Sequence, residues 1–154
     1  MEELKVRAVY EYTIQRQKTL EIREDKVSGP DGIASLMRGL GLAEKEQEHF
    51  YVFFLDAKNK IKGYSLVTIG LVDRTQVHAR EIFRNAIIQG ATNIILGHNH
   101  PSGDCTPSDA DLKCTRQTIE AGKIIGIDVL DHVIIGQPNA LGKDYLSFKE
   151  QFLM

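Results

Sequence analysis

His98-Asn99-His100-Pro101-Ser102-Gly103-Asp104-Cys105-Thr106-Pro107-Ser108-Asp109-Ala110-Asp111 is the stretch around which this chain is organised. It carries two imidazoles, a hydroxyl and a carboxylate within fourteen residues, at spacings that a backbone can make convergent. In an extended segment alternate side chains share a face, so His98 and His100 look one way and Asn99 the other. The preceding Asn93-Ile94-Ile95-Leu96-Gly97 reads as a short apolar strand buried in a sheet and bounded by Gly90 and Gly97. The histidines therefore stand where a strand leaves the core.

Pro101-Ser102-Gly103-Asp104 reads as a turn, because proline presets one backbone angle and glycine permits another that other residues resist. Thr106-Pro107 resembles a helix start, with the hydroxyl as N-cap and proline in the first turn. Ser108 and Asp111 then stand three apart on one helical face. They lie near the positive end of the helix dipole, which favours an ionised carboxylate.

Two neutral imidazoles and one carboxylate (His98, His100, Asp111) suit zinc and leave a fourth position for water, as catalytic zinc sites do. A closed structural site needs a fourth protein ligand, for which Cys105 and Asp109 are the candidates. Cys105 is soft and near, but it lies in the turn and no Cys-x-x-Cys pairing supports it. His-x-His alone is a weak motif. Its weight comes from agreement with the strand before it, the turn inside it and the Ser-x-x-Asp after it.

At these residues the chain resembles JAMM-motif metalloproteins of the MPN class, and within them the bacterial RadC family. His-x-His, seven residues, Ser-x-x-Asp is met by His98, His100, Ser108 and Asp111, and HNHPSGD and PSDAD are the RadC form of it. EHFYVFFLD at 48–56, VHAREIFRNAI at 77–87 and LDHVIIG at 130–136 extend the likeness over roughly residues 28 to 150. The resemblance implies zinc on His98, His100 and Asp111, with Ser108 steadying an oxyanion. It also implies an upstream glutamate as general base; Glu48 matches that position, with Glu46 as the fallback. Ala79 departs from a proline common among relatives, and Cys105 is unusual beside a metal. Longer relatives carry a helix-hairpin-helix module, which the segment before residue 28 is too short to hold.

Two rival readings fail on spacing. His98-Asn99-His100 spells the name of a nuclease class whose three residues are dispersed along a ββα-metal unit rather than adjacent. Zinc deaminases need His-x-Glu and Pro-Cys-x-x-Cys, and Cys105 and Cys114 are too far apart for that.

The 154 residues suit one domain, which at this size buries about two-thirds of the surface its unfolded chain exposes. The net charge is −2 with scattered Lys and Arg, which argues against strong nucleic-acid binding. Two cysteines nine apart make no disulfide framework, and a reducing cytoplasmic setting is expected. No targeting signal or membrane-length apolar run is apparent.

In chain order, residues 5–14 alternate as a half-buried strand, read as a sheet edge or an arm that pairs with a second copy in a homo-oligomer. Ser28-Gly29-Pro30-Asp31 starts a helix stopped by Gly39 and Gly41. Glu44 to Glu48 form an acidic cluster whose default reading is a solvated loop. Tyr51–Leu55 and Ile61–Thr68 form a hairpin, and Asp73 to Gln76 lead into a helix from Val77 to Gln89 with Ala79, Ile82, Phe83, Ala86 and Ile87 as its core stripe. Arg80 reads equally as half of a surface pair with Glu81 or as a guanidinium for the cleft. The helix after the motif turns Leu112, Thr115 and Ile119 inward, with Cys114 as a further candidate, and ends at Gly122. Asp128 to Ile135 are a strand, in which Asp131 and His132 are candidates to hold a ligating imidazole by its free N–H. Tyr145 to Phe152 close the chain as a short strand or turn.

Interleaved strands and helices give an α/β class, a mixed sheet sandwiched between helices, consistent with the cytidine-deaminase-like MPN core that the resemblance implies. The expected chemistry is amide or isopeptide hydrolysis of a polypeptide, with zinc lowering the pKa of its water to about 7. The alternative is a zinc-bearing interaction module that binds a partner in DNA repair or processing without turning it over.

Overall fold

The run Phe50 to Leu55 is apolar at every position because the strand that it forms, β1 (His49–Leu55), is covered on both faces. Alternation sends Phe50, Val52 and Phe54 into one core and Phe53 and Leu55 into another. The structure is a computed structural model that describes Ala8, Glu11 and residues 29–70 and 77–154. The strand expected over 5–14, Ser28 of the first helix start and the lead-in over 73–76 fall outside these residues, apart from Ala8 and Glu11, each of which is exposed and outside regular structure.

Along the chain α1 (Gly29–Gly39) and a 3-10 turn (Leu42–Glu44) precede β1 and β2 (Ile61–Ile69); α2 (Ala79–Ile88), β3 (Asn93–Asn99), α3 (Asp109–Ile125), β4 (Asp128–Ile135) and β5 (Tyr145–Ser147) follow. The sheet order is β2-β1-β3-β4-β5. β1 runs antiparallel to β2 and β3, β3 parallel to β4, and β4 antiparallel to β5. A parallel pair needs a long crossover, which α3 supplies. Ile33, Ala34, Leu36 and Met37 of α1 cover one face of the sheet with Phe53, Ile95 and Val133. Ile82, Phe83 and Ala86 of α2 and Cys114 of α3 cover the other. The fold is thus a mixed α/β sheet between helices. Among the described residues no helix is long and apolar enough to cross a membrane.

Several local expectations are corrected. Gly97 does not end β3, which runs on through His98 to Asn99. A Cβ there would stand 2.9 Å from Met37 Sδ and from Phe53 Cε2, so this glycine makes room for α1. Gly122 does not end α3 either; a side chain on it would collide with the Ile127 carbonyl, and the helix closes at Gly126, whose φ of 83° suits glycine. The buried face of α3 is Asp111, Cys114, Thr115, Thr118 and Gly122, with Leu112 and Ile119 only half-buried. Thr115 and Thr118 tolerate burial because their hydroxyls donate to the carbonyls of Asp111 and Cys114, each at 2.7 Å. Ile87 is 56% exposed; at 100° per residue it lies roughly 90° round from the centre of the Ile82, Phe83 and Ala86 stripe.

Candidate metal centre

The helix after the turn starts two residues later than Thr106-Pro107 suggests. Ser108 is the N-cap: its hydroxyl oxygen accepts the Asp111 N–H at 3.1 Å, and its own N–H donates to Asp111 Oδ2 at 2.8 Å. This reciprocal capping orients the Asp111 carboxylate. Thr106 instead donates its N–H and hydroxyl to Asp104 Oδ1, at 2.9 and 2.7 Å, closing the turn. Ser108 is therefore not simply a face-mate of Asp111. It is the clamp on it, and its hydroxyl hydrogen has no acceptor among the described residues.

Opposite stands β3. His98, fully buried, pairs across the sheet with Phe50 and Ile134, and its ring stacks on Phe50 with centroids 5.8 Å apart. His100, just beyond the strand, is held by its N–H to the Ile135 carbonyl. The two rings share a face as their spacing predicts, with Nε2 atoms 3.0 Å apart. His98 Nε2 lies 3.3 Å from Asp111 Oδ1, and His100 Nε2 lies 3.2 Å from Asp111 Oδ2. Glu48, 8% exposed at the entrance to β1, places Oε1 3.6 Å from His98 Nε2. Glu46 is exposed.

One donor atom from each of Glu48, His98, His100 and Asp111 lies within 4.8 Å of the others, a group that could hold a metal ion. The donor set fits such an ion on two grounds. Ligands about 2.0–2.1 Å from a tetrahedral zinc stand roughly 3.3 Å apart, close to the spacings of the two imidazoles and Asp111. In addition, His100 Nδ1 is 2.7 Å from the Asp104 carbonyl, which can only accept. The hydrogen of the neutral ring is therefore on Nδ1, and Nε2 turns a lone pair toward the carboxylate and the other imidazole. Such a convergence suits a cation.

The electrostatics agree. Burial works against ionisation of Asp111, but His100 and His98, which donate to the carboxylate when their rings are protonated, prevail and hold its carboxyl well below the usual range. Burial also disfavours charge on His100; the hydrogen bonds to Asp111 and to the Asp104 carbonyl outweigh it and raise its pKa above the ordinary 6.5.

Cys105 and Asp109 do not join the group. The Cys105 thiol donates to the Asp144 carbonyl at 3.4 Å, and burial, aided by Asp144 and Asp104, pushes its pKa up to about 11. Of the two candidates in β4, His132 reaches a candidate ligand, with Nε2 2.8 Å from His98 Nδ1. Asp131 does not; it accepts from the Ser147 hydroxyl and from the N–H groups of His132 and Lys149. Arg80 is a surface residue paired with Glu81 at 3.3 Å.

Two residues that matter here carried no functional reading in the sequence. Asn99, expected only to point away from the histidines, is buried and grips the segment that presents Glu48. Its Oδ1 accepts the His49 N–H at 2.7 Å, and its Nδ2 donates to the carbonyls of Gln47 and Lys45 at 3.1 and 3.4 Å. Thr115 lies 2.7 Å from His132 Nδ1. The available signal was a polar residue on a buried position of a strand or helix, which must bond to something.

Residues 27–153 match the family model described as the RadC-like JAB domain. The chain is 36% identical over 146 residues to a UPF0758 protein of Methanosarcina mazei, covering 95% of this chain and 61% of that protein. It is 42% identical over 131 residues to a UPF0758 protein of Syntrophomonas wolfei, covering 83% and 54%. A UPF0758 protein of Desulforamulus reducens is 50% identical over 95 residues, covering 62% and 42%. The chain therefore spans about half the length of the curated relatives it matches.

Proposed function

The chain belongs to the RadC-like JAB domain family, and on that premise we propose that it is a zinc-dependent metallohydrolase acting on an amide or isopeptide bond of a polypeptide. JAB domains include metallopeptidases. The observation that carries the reading is the gathering of His98, His100, Asp111 and a buried Glu48 from three separate segments into one group.

In this reading His98, His100 and Asp111 hold the ion, which supplies Lewis acidity that brings water deprotonation into the neutral range. Glu48 takes the proton of the attacking water and returns it to the leaving amine, a task for a carboxylate within hydrogen-bond reach. Ser108 spends its lone pair on the Asp111 N–H and keeps its hydroxyl hydrogen for the charge that develops on the carbonyl oxygen. One such donor is worth about 3 kcal/mol in comparable oxyanion sites. Asn99 holds the strand entrance so that Glu48 faces the ligands.

A second reading draws on the nearness of Glu48 to His98. With Glu48 as a fourth ligand the site would be closed, and the domain would be a zinc-bearing interaction module in DNA repair or processing. Glu48→Gln separates the two. As a base, Glu48 is dispensable for the metal, so the variant retains stoichiometric zinc by elemental analysis while cleavage of peptide and isopeptide-linked substrates falls by at least 100-fold. As a ligand, its loss lowers zinc affinity, and chelation of the native protein disturbs partner binding without any turnover to abolish.

A further inference from the structure

His132 is fully buried in β4, stacked on Phe148 with ring centroids 4.5 Å apart, and both of its nitrogens are engaged. Nε2 is 2.8 Å from His98 Nδ1, and Nδ1 is 2.7 Å from Thr115 Oγ1. Thr115 Oγ1 in turn lies 2.7 Å from the Asp111 carbonyl. These contacts form one continuous chain from one metal-ligand candidate to the backbone of another.

The direction of every hydrogen in that chain follows from its last member. A carbonyl oxygen has no hydrogen to give, so Thr115 spends its single hydroxyl hydrogen on Asp111. The oxygen of Thr115 must then accept, which places a hydrogen on His132 Nδ1. His132 carries one hydrogen when neutral, so its Nε2 has a lone pair. That lone pair accepts from His98 Nδ1, and His98 Nε2 is left bare on the side where His100, Asp111 and Glu48 converge. His100 is set in the same sense by the Asp104 carbonyl.

We propose that Thr115 and His132 are positioning residues that fix the His98 tautomer, so that a backbone carbonyl of the helix carrying Asp111 aims the His98 lone pair at the metal position before any ion arrives. The inference rests on the metal-binding part of the function proposed above and is independent of hydrolysis. It makes the two histidines equivalent in design. Each ligating ring has its outward nitrogen committed by a main-chain carbonyl, directly for His100 and through two side chains for His98. Partners of this kind typically contribute 10–100-fold in metal affinity.

Ring-nitrogen NMR of the metal-free protein at pH 8 tests the tautomers directly, with zinc and cobalt competition titrations beside it on the native chain, Thr115→Val, Thr115→Ser and His132→Asn. The native protein should show hydrogen on Nδ1 of both His98 and His132. Thr115→Val should lower zinc affinity 10–100-fold and alter the visible spectrum of the cobalt form, while Thr115→Ser, which keeps the hydroxyl, should restore both. Hydrogen on Nε2 of His132, or a folded Thr115→Val protein with native zinc affinity and cobalt spectrum, overturns the proposal. If His132→Asn does not fold, the threonine pair decides alone. A native protein that binds neither zinc nor cobalt defeats the metal-centre reading, whereas unaltered binding in Thr115→Val defeats only the chain.

Discussion

The side chain of Asn99 accepts the backbone N–H of His49 at 2.7 Å, across fifty residues of sequence. The bond ties the strand end that bears both histidines to the strand entrance that bears Glu48. One residue thus divides two tasks by direction: its neighbours face the candidate metal position, and it faces away to hold the 45–49 segment through three backbone groups. Asn99→Ala should cost about 1–3 kcal/mol, because the partners it leaves are partly shielded from water. Urea unfolding measures the loss, and hydrogen exchange should show the His49 amide opening faster than amides in the centre of β1. Unchanged exchange at His49 would remove Asn99 from the support of Glu48.

Gly136 supports the other side of the centre. A Cβ at this position would collide with the Gly103 carbonyl and stand 2.8 Å from Cys105 Sγ, so Gly136→Ala must push away the turn whose Asp104 carbonyl orients His100. Overpacking of this kind costs about 1–3 kcal/mol. Thermal unfolding should register that cost, and zinc affinity should fall with it. A variant destabilised to this degree but native in zinc binding would show that the turn can move without taking His100 along.

Cys105 lies close to the candidate ligands in sequence but is turned toward Asp144, with its thiol held neutral by a pKa raised to about 11. Since the thiolate is the form that binds metal, Cys105→Ser should leave zinc stoichiometry and affinity unchanged. Loss of the ion from that variant would mean that the site is sealed by sulfur.

The pH dependence of the metal-free protein should be two-sided. His132 is kept neutral by burial and by His98, with its pKa well below 6.5, so the unfolded chain takes up this proton first. Stability is therefore lost as pH falls below about 6.5. His100 has its pKa raised, so its contribution is full below 6.5 and is lost as pH rises through the raised value. Asp111, depressed, adds a further loss as pH falls below the ordinary carboxylate value of 3.8. Chemical denaturation across pH 4 to 9 should thus peak near 6.5 without metal. Zinc competes with the His100 proton, so added zinc should stabilise the alkaline side more. A stability curve still rising at pH 8 without metal would contradict the His100 shift.

Much of the architecture was legible in residue patterns. Apolar runs marked β1 and β3, the turn residues at 56–60 marked the hairpin, and Asp128 to Ile135 form β4 as read. The i, i+2 spacing of the histidines and the i, i+3 spacing of Ser108 and Asp111 were enough to predict convergence, because strand and helix periodicities are local properties of the backbone. Helix ends are less legible. Thr106 and Ser108 are both capable caps, and the choice fell to the one whose cap residue and Asp111 satisfy each other reciprocally.

The glycines show the same division. Gly97, Gly122 and Gly136 look like punctuation in the sequence, yet each is required by an atom from a distant or returning segment that fills the place of a side chain. The roles of Asn99 and Thr115 were hidden for a related reason, since hydrogen-bond partners about fifty residues away, or on another element, leave no local period; His132 was legible only as one of two candidates in its strand. Local spacing decided that this chain would present two imidazoles and a carboxylate where a buried strand leaves the core. Only the packing of β1, α3 and β4 around β3 decided which carboxylate would stand beside them and which groups would aim them, because burial and hydrogen bonding are settled between segments and not along one.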